Sequence, residues 1–78
     1  MFKNKNDDGT LNLCGPKIAM LRKAKGLSQR ALAVQLQLAG MDLNKNAIQQ
    51  IECGRRFVTD IELRAFSSLF DVKMDDLV

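Results

Sequence analysis

Lys45, Asn46, Gln49 and Gln50 combine residue types and spacing that could do chemistry. On a helix, positions one apart and three or four apart share a flank, so these four side chains would project together. Their chemistry is hydrogen bonding rather than catalysis. Amides can bond bidentately to adenine, and a lysine can reach guanine N7 and O6. Surface amides are also common on helices that do nothing but stay wet, so this row leaves both readings open. Around it, Gln29 stands where a second helix would begin, a position whose free N–H groups and side chain suit a phosphate. Arg55 and Arg56 follow the row and could neutralise phosphates beside a groove.

Other chemistries are poorly served. The chain has no histidine, and Cys14 and Cys53 are far apart with no CxxC pair. A zinc site needs about four ligands, and neither cysteine has a base partner in sequence. No phosphate-cradling glycine loop is present. The expectation is therefore no enzyme, no metal and no cofactor, with the thiols buried or idle and a disulfide as the minor alternative. No apolar run approaches the roughly 20 residues needed to span a bilayer, and the polar start MFKNKNDDG does not read as a signal peptide. The default compartment is the cytoplasm, with no membrane partner.

Charge is asymmetric. Lys17 to Arg56 carries eight basic residues (Lys17, Arg22, Lys23, Lys25, Arg30, Lys45, Arg55, Arg56) against Asp42 and Glu52, whereas Phe57 onward carries two basic against five acidic. A positive front and a negative back suit a polyanion at the front, although charges also simply solvate surfaces.

The elements that must position these groups follow from caps and periodicity. Residues 1–14 read as a flexible arm, with Leu11 and Leu13 able to fold back, and 15–78 as one domain. A first helix starts at Gly15-Pro16, since proline is tolerated in the first turn; Ile18 and Leu21 form its apolar seam, and Gly26 stops it. Ser28 caps a second helix that runs to Ala39 and ends at Gly40. The turn is Gly40-Met41-Asp42-Leu43, with Met41 or Leu43 tucked inward. Asn44 caps a third helix, Lys45 to Glu52 or Cys53, with Ala47, Ile48 and Ile51 as its buried stripe and Gly54 as its stop. Phe57 and Val58 should turn inward. Thr59-x-x-Glu62 has capping-box spacing and opens a fourth helix, about Asp60–Phe70. Asp71 stands where glycine would be more comfortable. Val72, Met74 and Leu77 make a last short turn. No segment alternates like a strand, so the expectation is all-α with five helices, the fifth brief.

The run Leu21-Arg22 … Gly26-Leu27-Ser28-Gln29 … Leu32-Ala33 … Ala47-Ile48 … Ile51-Glu52 … Gly54-Arg55-Arg56 resembles the phage repressor/Cro-type (xenobiotic-response-element-like) helix-turn-helix family, as does the closing Phe70-Asp71-Val72 … Met74-Asp75-Asp76-Leu77. The resemblance covers about Pro16 to Leu77. It implies a five-helix lambda-repressor-like DNA-binding domain whose third helix reads the major groove, and a transcriptional regulator, usually a repressor. It matches Gln29 to the family's phosphate-contacting glutamine and places Asn44, Lys45, Asn46, Gln49 and Gln50 on DNA-facing positions. The DNA-binding set expected is these six with Arg30, Arg55 and Arg56. The resemblance further implies a structural ion pair between Arg22 and Glu52, with phosphate contact the competing reading for Arg22. Expected partners are double-stranded DNA and a second copy of the chain, pairing on DNA. Two departures stand out: QLQLAGMDLNKN is longer than the family's usual connection, and Asp60 replaces an apolar residue. The rival reading is a protein-interaction module on the same fold, such as an antitoxin or regulatory subunit, which should expose apolar anchors such as Met41 or Leu43.

Overall fold

The computed structural model describes residues 5–78, and the first four residues of the expected arm lie outside that range. Four α-helices follow in order: α1 (Gly15–Ala24), α2 (Gln29–Leu38), α3 (Lys45–Glu52) and α4 (Asp60–Phe70). A single 3-10 turn, Met74–Asp76, stands where a brief fifth helix was expected. The described residues therefore form four α-helices, without strands.

The helix starts obey local capping chemistry. Ser28 Oγ accepts from the Ala31 N–H at 3.0 Å, and Asn44 Oδ1 accepts from the Ala47 N–H at 2.8 Å. Thr59 and Glu62 form the reciprocal capping box. Each cap satisfies donors that would otherwise lack partners at a helix N-terminus.

All four helices end in one way. In each, the left-handed residue donates three positions back and the next residue donates five back, as in Gly40 N–H to Gln37 and Met41 N–H to Leu36. This pairing requires a left-handed residue. Gly40 supplies it at φ 91°, and in α4 Asp71 adopts φ 54°, a conformation aspartate tolerates better than most residues.

The end at Gly40 settles the long connection. α2 absorbs Gln35 to Leu38, so the extra residues lengthen the helix instead of forming a loop. Leu43 is then buried and Met41 half-buried in the turn.

The core takes one stripe from each helix. Ile18, Leu32, Leu36, Ile48, Ile51, Phe66 and Leu77 are fully buried, and Phe66 stacks on Phe70 with centroids 6.4 Å apart. α1 and α3 meet closely because Gly15 has no Cβ; one there would run into the Ile51 carbonyl. Phe57 departs from expectation, with 51% of its surface exposed, while Val58 packs on the core. The core takes Val58 and leaves its neighbour to solvent.

The N-terminal segment lies against the end of α3. From Asn6 to Asn12 it is hydrogen-bonded to itself and to the end of α3. Leu11 is half-buried, and Leu13 is exposed.

Candidate nucleic-acid interface

α3 is eight residues long, about 12 Å at 1.5 Å per residue. An isolated helix of that length is unstable in water, so Ile48 and Ile51, both 0% exposed, must fix it to the body. At about 100° per residue, Lys45, Gln49, Asn46 and Gln50 span an outward arc of roughly 140°, opposite the arc of Ala47, Ile48 and Ile51. Lys45, Asn46 and Gln49 are exposed and Gln50 is half-buried. Asn44 is exposed at the head of the helix, where its oxygen serves the cap and its amide N–H groups are left for other partners.

The one acidic residue of α3, on the Lys45 edge of this arc, is engaged by partners from α1 and α2. Glu52 accepts from Arg22 Nε at 2.7 Å and Arg22 Nη2 at 3.0 Å, with side chains only 11% (Arg22) and 8% (Glu52) exposed. Glu52's hydrogen bonds hold the Arg22 guanidinium above its ordinary pKa. Arg22 also donates through Nη1 to the Leu27 carbonyl at 2.9 Å. α1, the α1–α2 turn and α3 thus meet at one guanidinium. With its charge paired inside, Glu52 presents no repulsion to an anion in front.

Gln29 is placed differently from the simple expectation of a phosphate ligand. Its Nε2 donates to Glu52 Oε1 at 3.1 Å, tying the start of α2 to the end of α3. An amide nitrogen carries two N–H groups, so the second remains for another acceptor. The first turn of α2 has no acidic residue, and Arg30 is exposed on it.

The two arginines after α3 separate. Arg55 is exposed and makes no side-chain hydrogen bond or ion pair among the described residues. Arg56 instead forms a two-pronged pair with Glu62, Nη1 to Oε1 at 2.9 Å and Nη2 to Oε2 at 3.0 Å, and its Nη1 reaches the Phe57 carbonyl at 3.1 Å. The Arg56 guanidinium, opposed by burial and aided by the Thr59 N–H, holds the Glu62 carboxyl below its usual range. Sequence reasoning treated Arg56 as a phosphate contact and Glu62 as a cap alone. Nothing local announces their pairing.

Asn12 was missed altogether. Its Nδ2 donates to the Ile51 carbonyl at 3.0 Å and to the Arg56 carbonyl at 2.8 Å, while its Oδ1 accepts from the Gly15 N–H at 2.8 Å. The last bond does for α1 what the adjacent Cys14 does not, since Cys14 makes no side-chain cap. An asparagine just ahead of Gly15-Pro16 was a usable signal for that role. Cys14 is buried, which pushes its thiol pKa up, and both cysteines are free.

No protein-family model and no curated protein sequence matches the chain. Among solved structures, it is similar to the restriction-modification controller protein C.AhdI from Aeromonas hydrophila, with a TM-score of 0.67 and 30% sequence identity over 82% of this chain and 86% of that one. The chain belongs to the family of that controller protein. As a member of that family, it carries α2, the four-residue turn from Gly40 to Leu43 and α3 as a helix-turn-helix. No helix among the described residues is long and apolar enough to cross a membrane.

Proposed function

We propose that the chain is a sequence-specific regulator of transcription, acting as a repressor in the cytoplasm, that lays α3 in the major groove of double-stranded DNA. The observation that carries this reading is the outward arc of α3: Lys45, Asn46 and Gln49 are exposed and Gln50 is half-buried at the arc's edge, while Glu52 is withdrawn into its pair with Arg22. Amides and a lysine on a helix of groove-filling width have the hydrogen-bonding complement of adenine and guanine edges. Asn44 lies at the head of that arc. Arg30, Arg55 and the spare N–H of Gln29 flank it with phosphate donors. Arg56 contributes through its hold on α4, with its one-third exposed side chain open to a secondary backbone contact. Kinship with a protein that is itself a controller supports the regulatory half of the reading.

An α3 of about 12 Å covers only three or four base pairs at 3.4 Å each, so tight binding uses two copies on half-sites about 34 Å apart. The rival protein-interaction reading loses Leu43 as an anchor, because it is buried, and keeps only the half-buried Met41.

The test is affinity for a duplex selected from a random library, set against random duplex. Lys45→Ala and Gln50→Ala should each close the gap between the two by about 1–3 kcal/mol, whereas Arg55→Ala should weaken both alike and lower the salt slope by about 0.9. Equal affinities of the wild-type protein for selected and random duplexes would refute the reading.

A further inference from the structure

We infer that Asn12 is a positioning residue for α3, and that the segment from Asn6 to Asn12 is a clasp holding the reading helix at its working angle. The inference rests on the assignment of α3 as the reading helix.

The clasp is built in two steps. Asp8 Oδ1 accepts from the Thr10 N–H and hydroxyl at 3.0 and 2.7 Å, and the Asn6 amide donates to Thr10 Oγ1 and to the Asn12 carbonyl at 2.7 and 2.9 Å. That folded loop then seats on the end of α3. Leu11 N–H donates to the Gly54 carbonyl at 2.8 Å, and the Thr10 methyl fills the space a Cβ on Gly54 would need.

Asn12 closes the arrangement with both hydrogens of its side-chain amide. Its two donated bonds go to carbonyls of the α3 end and the following loop, 39 and 44 residues away. Its acceptor takes the first N–H of α1. The Ile51 carbonyl, one of the last four of α3, already accepts from the Gly54 N–H at 3.0 Å in the helix-end pairing, and Asn12 takes its second lone pair. One side chain therefore fixes the start of α1, the end of α3 and the exit toward α4 relative to one another. Asparagine alone has this combination at this reach. Aspartate lacks the donors, serine reaches one partner at most, and glutamine is a methylene too long. The α3 head is held by Ile48 and the Asn44 cap; at the other end, where Gln49 and Gln50 project, the clasp acts beside Ile51 and the Arg22–Glu52 pair.

The experiment uses the full chain with Asn12→Ala and the milder Asn12→Ser, which can still cap Gly15 but cannot bridge both carbonyls. Both are studied well below their melting temperatures, beside Phe70→Leu as a variant destabilised on a different helix. Amide hydrogen exchange in the free protein should quicken in Gln49–Arg55 by about tenfold more than in α4, the scale of one or two net hydrogen bonds. Affinity for the selected duplex should fall by a similar factor with random-duplex affinity and salt slope unchanged. Phe70→Leu should show neither pattern. Exchange that quickens evenly over all helices, or not at all, overturns the clasp. So does a fall in selected-duplex and random-duplex affinity together. The exchange result needs no DNA, so a wild-type protein with no duplex preference would remove the reading of α3 while still testing the clasp.

Discussion

Replacing Glu52 by alanine should be among the most damaging single changes in the protein. Its carboxylate accepts three N–H donors, two from Arg22 and one from Gln29. The substitution leaves a guanidinium that is 11% exposed facing a cavity, with only its bond to the Leu27 carbonyl intact. Breaking a deeply buried pair costs about 3–5 kcal/mol. The residual exposure and the surviving bond lower this to about 3 kcal/mol, consistent with two charge-assisted bonds at about 1.5 kcal/mol each. For a domain of this size that corresponds to a fall in melting temperature of roughly 12–24 °C. Urea denaturation of the wild type, Glu52→Ala, Arg22→Met and the double variant gives the assay. The double variant should be less destabilised than the sum of the singles, with a coupling energy of about 2 kcal/mol. Because the pair is shielded, moving from low salt to about 0.5 M should change that coupling little. Additive single effects, within about 0.3 kcal/mol, would show that the pair does not hold α1 to α3 and would refute the reasoning.

The Arg56–Glu62 pair predicts an acid-side weakness. Glu62 has a folded pKa below its ordinary value of 4.5, so its stabilising contribution is complete above about pH 4.5 and is lost as pH falls through the folded value. Urea melts between pH 6 and pH 3 should lose stability on that limb, and Glu62→Gln should flatten it; an unchanged limb in Glu62→Gln would contradict the pairing. If the two copies proposed above pair through the groove between the end of α2 and the outer face of α4, lined by Ala39, Met41, Ile61, Ala65 and Leu69 with Arg64 and Ser68, a charge placed there should break the pairing. Ile61 is 68% exposed, so Ile61→Asp should alter folding stability by only about 0.5 kcal/mol. It should abolish cooperative binding to a two-half-site duplex while sparing single half-site affinity, and retained cooperativity would rule this surface out.

The helices were legible because their boundaries are written locally. Ser28, Asn44 and the Thr59–Glu62 box act within three residues of themselves, as do the left-handed residues at Gly26, Gly40, Gly54 and Asp71. The buried stripes were legible by periodicity, and the Arg22–Glu52 pair through a family resemblance. What escaped was tertiary. Asn12 bonds carbonyls some forty residues distant, and no pattern of spacing records a side chain meeting remote backbone. Arg55 and Arg56 are adjacent and chemically alike, so only the direction of α4 separates a solvent-facing charge from one held by Glu62. Of Phe57 and Val58 the core takes the smaller residue, and nothing in the two side chains' hydrophobicity announces that choice. The fifth helix shrank to a 3-10 turn because three residues with two aspartates cannot sustain an α-helix.

The central claim, that α3 reads base edges from the major groove, is most directly tested by interference footprinting with 7-deazapurines in the selected duplex. Amide contacts to adenine and lysine contacts to guanine both use N7 in the major groove. Removing that one atom within each half-site should weaken binding by about 1–3 kcal/mol per contacted base in the wild-type protein, and should have no further effect at the matching base in Gln50→Ala or Lys45→Ala. Binding that tolerates 7-deazapurines throughout the half-sites would contradict the account.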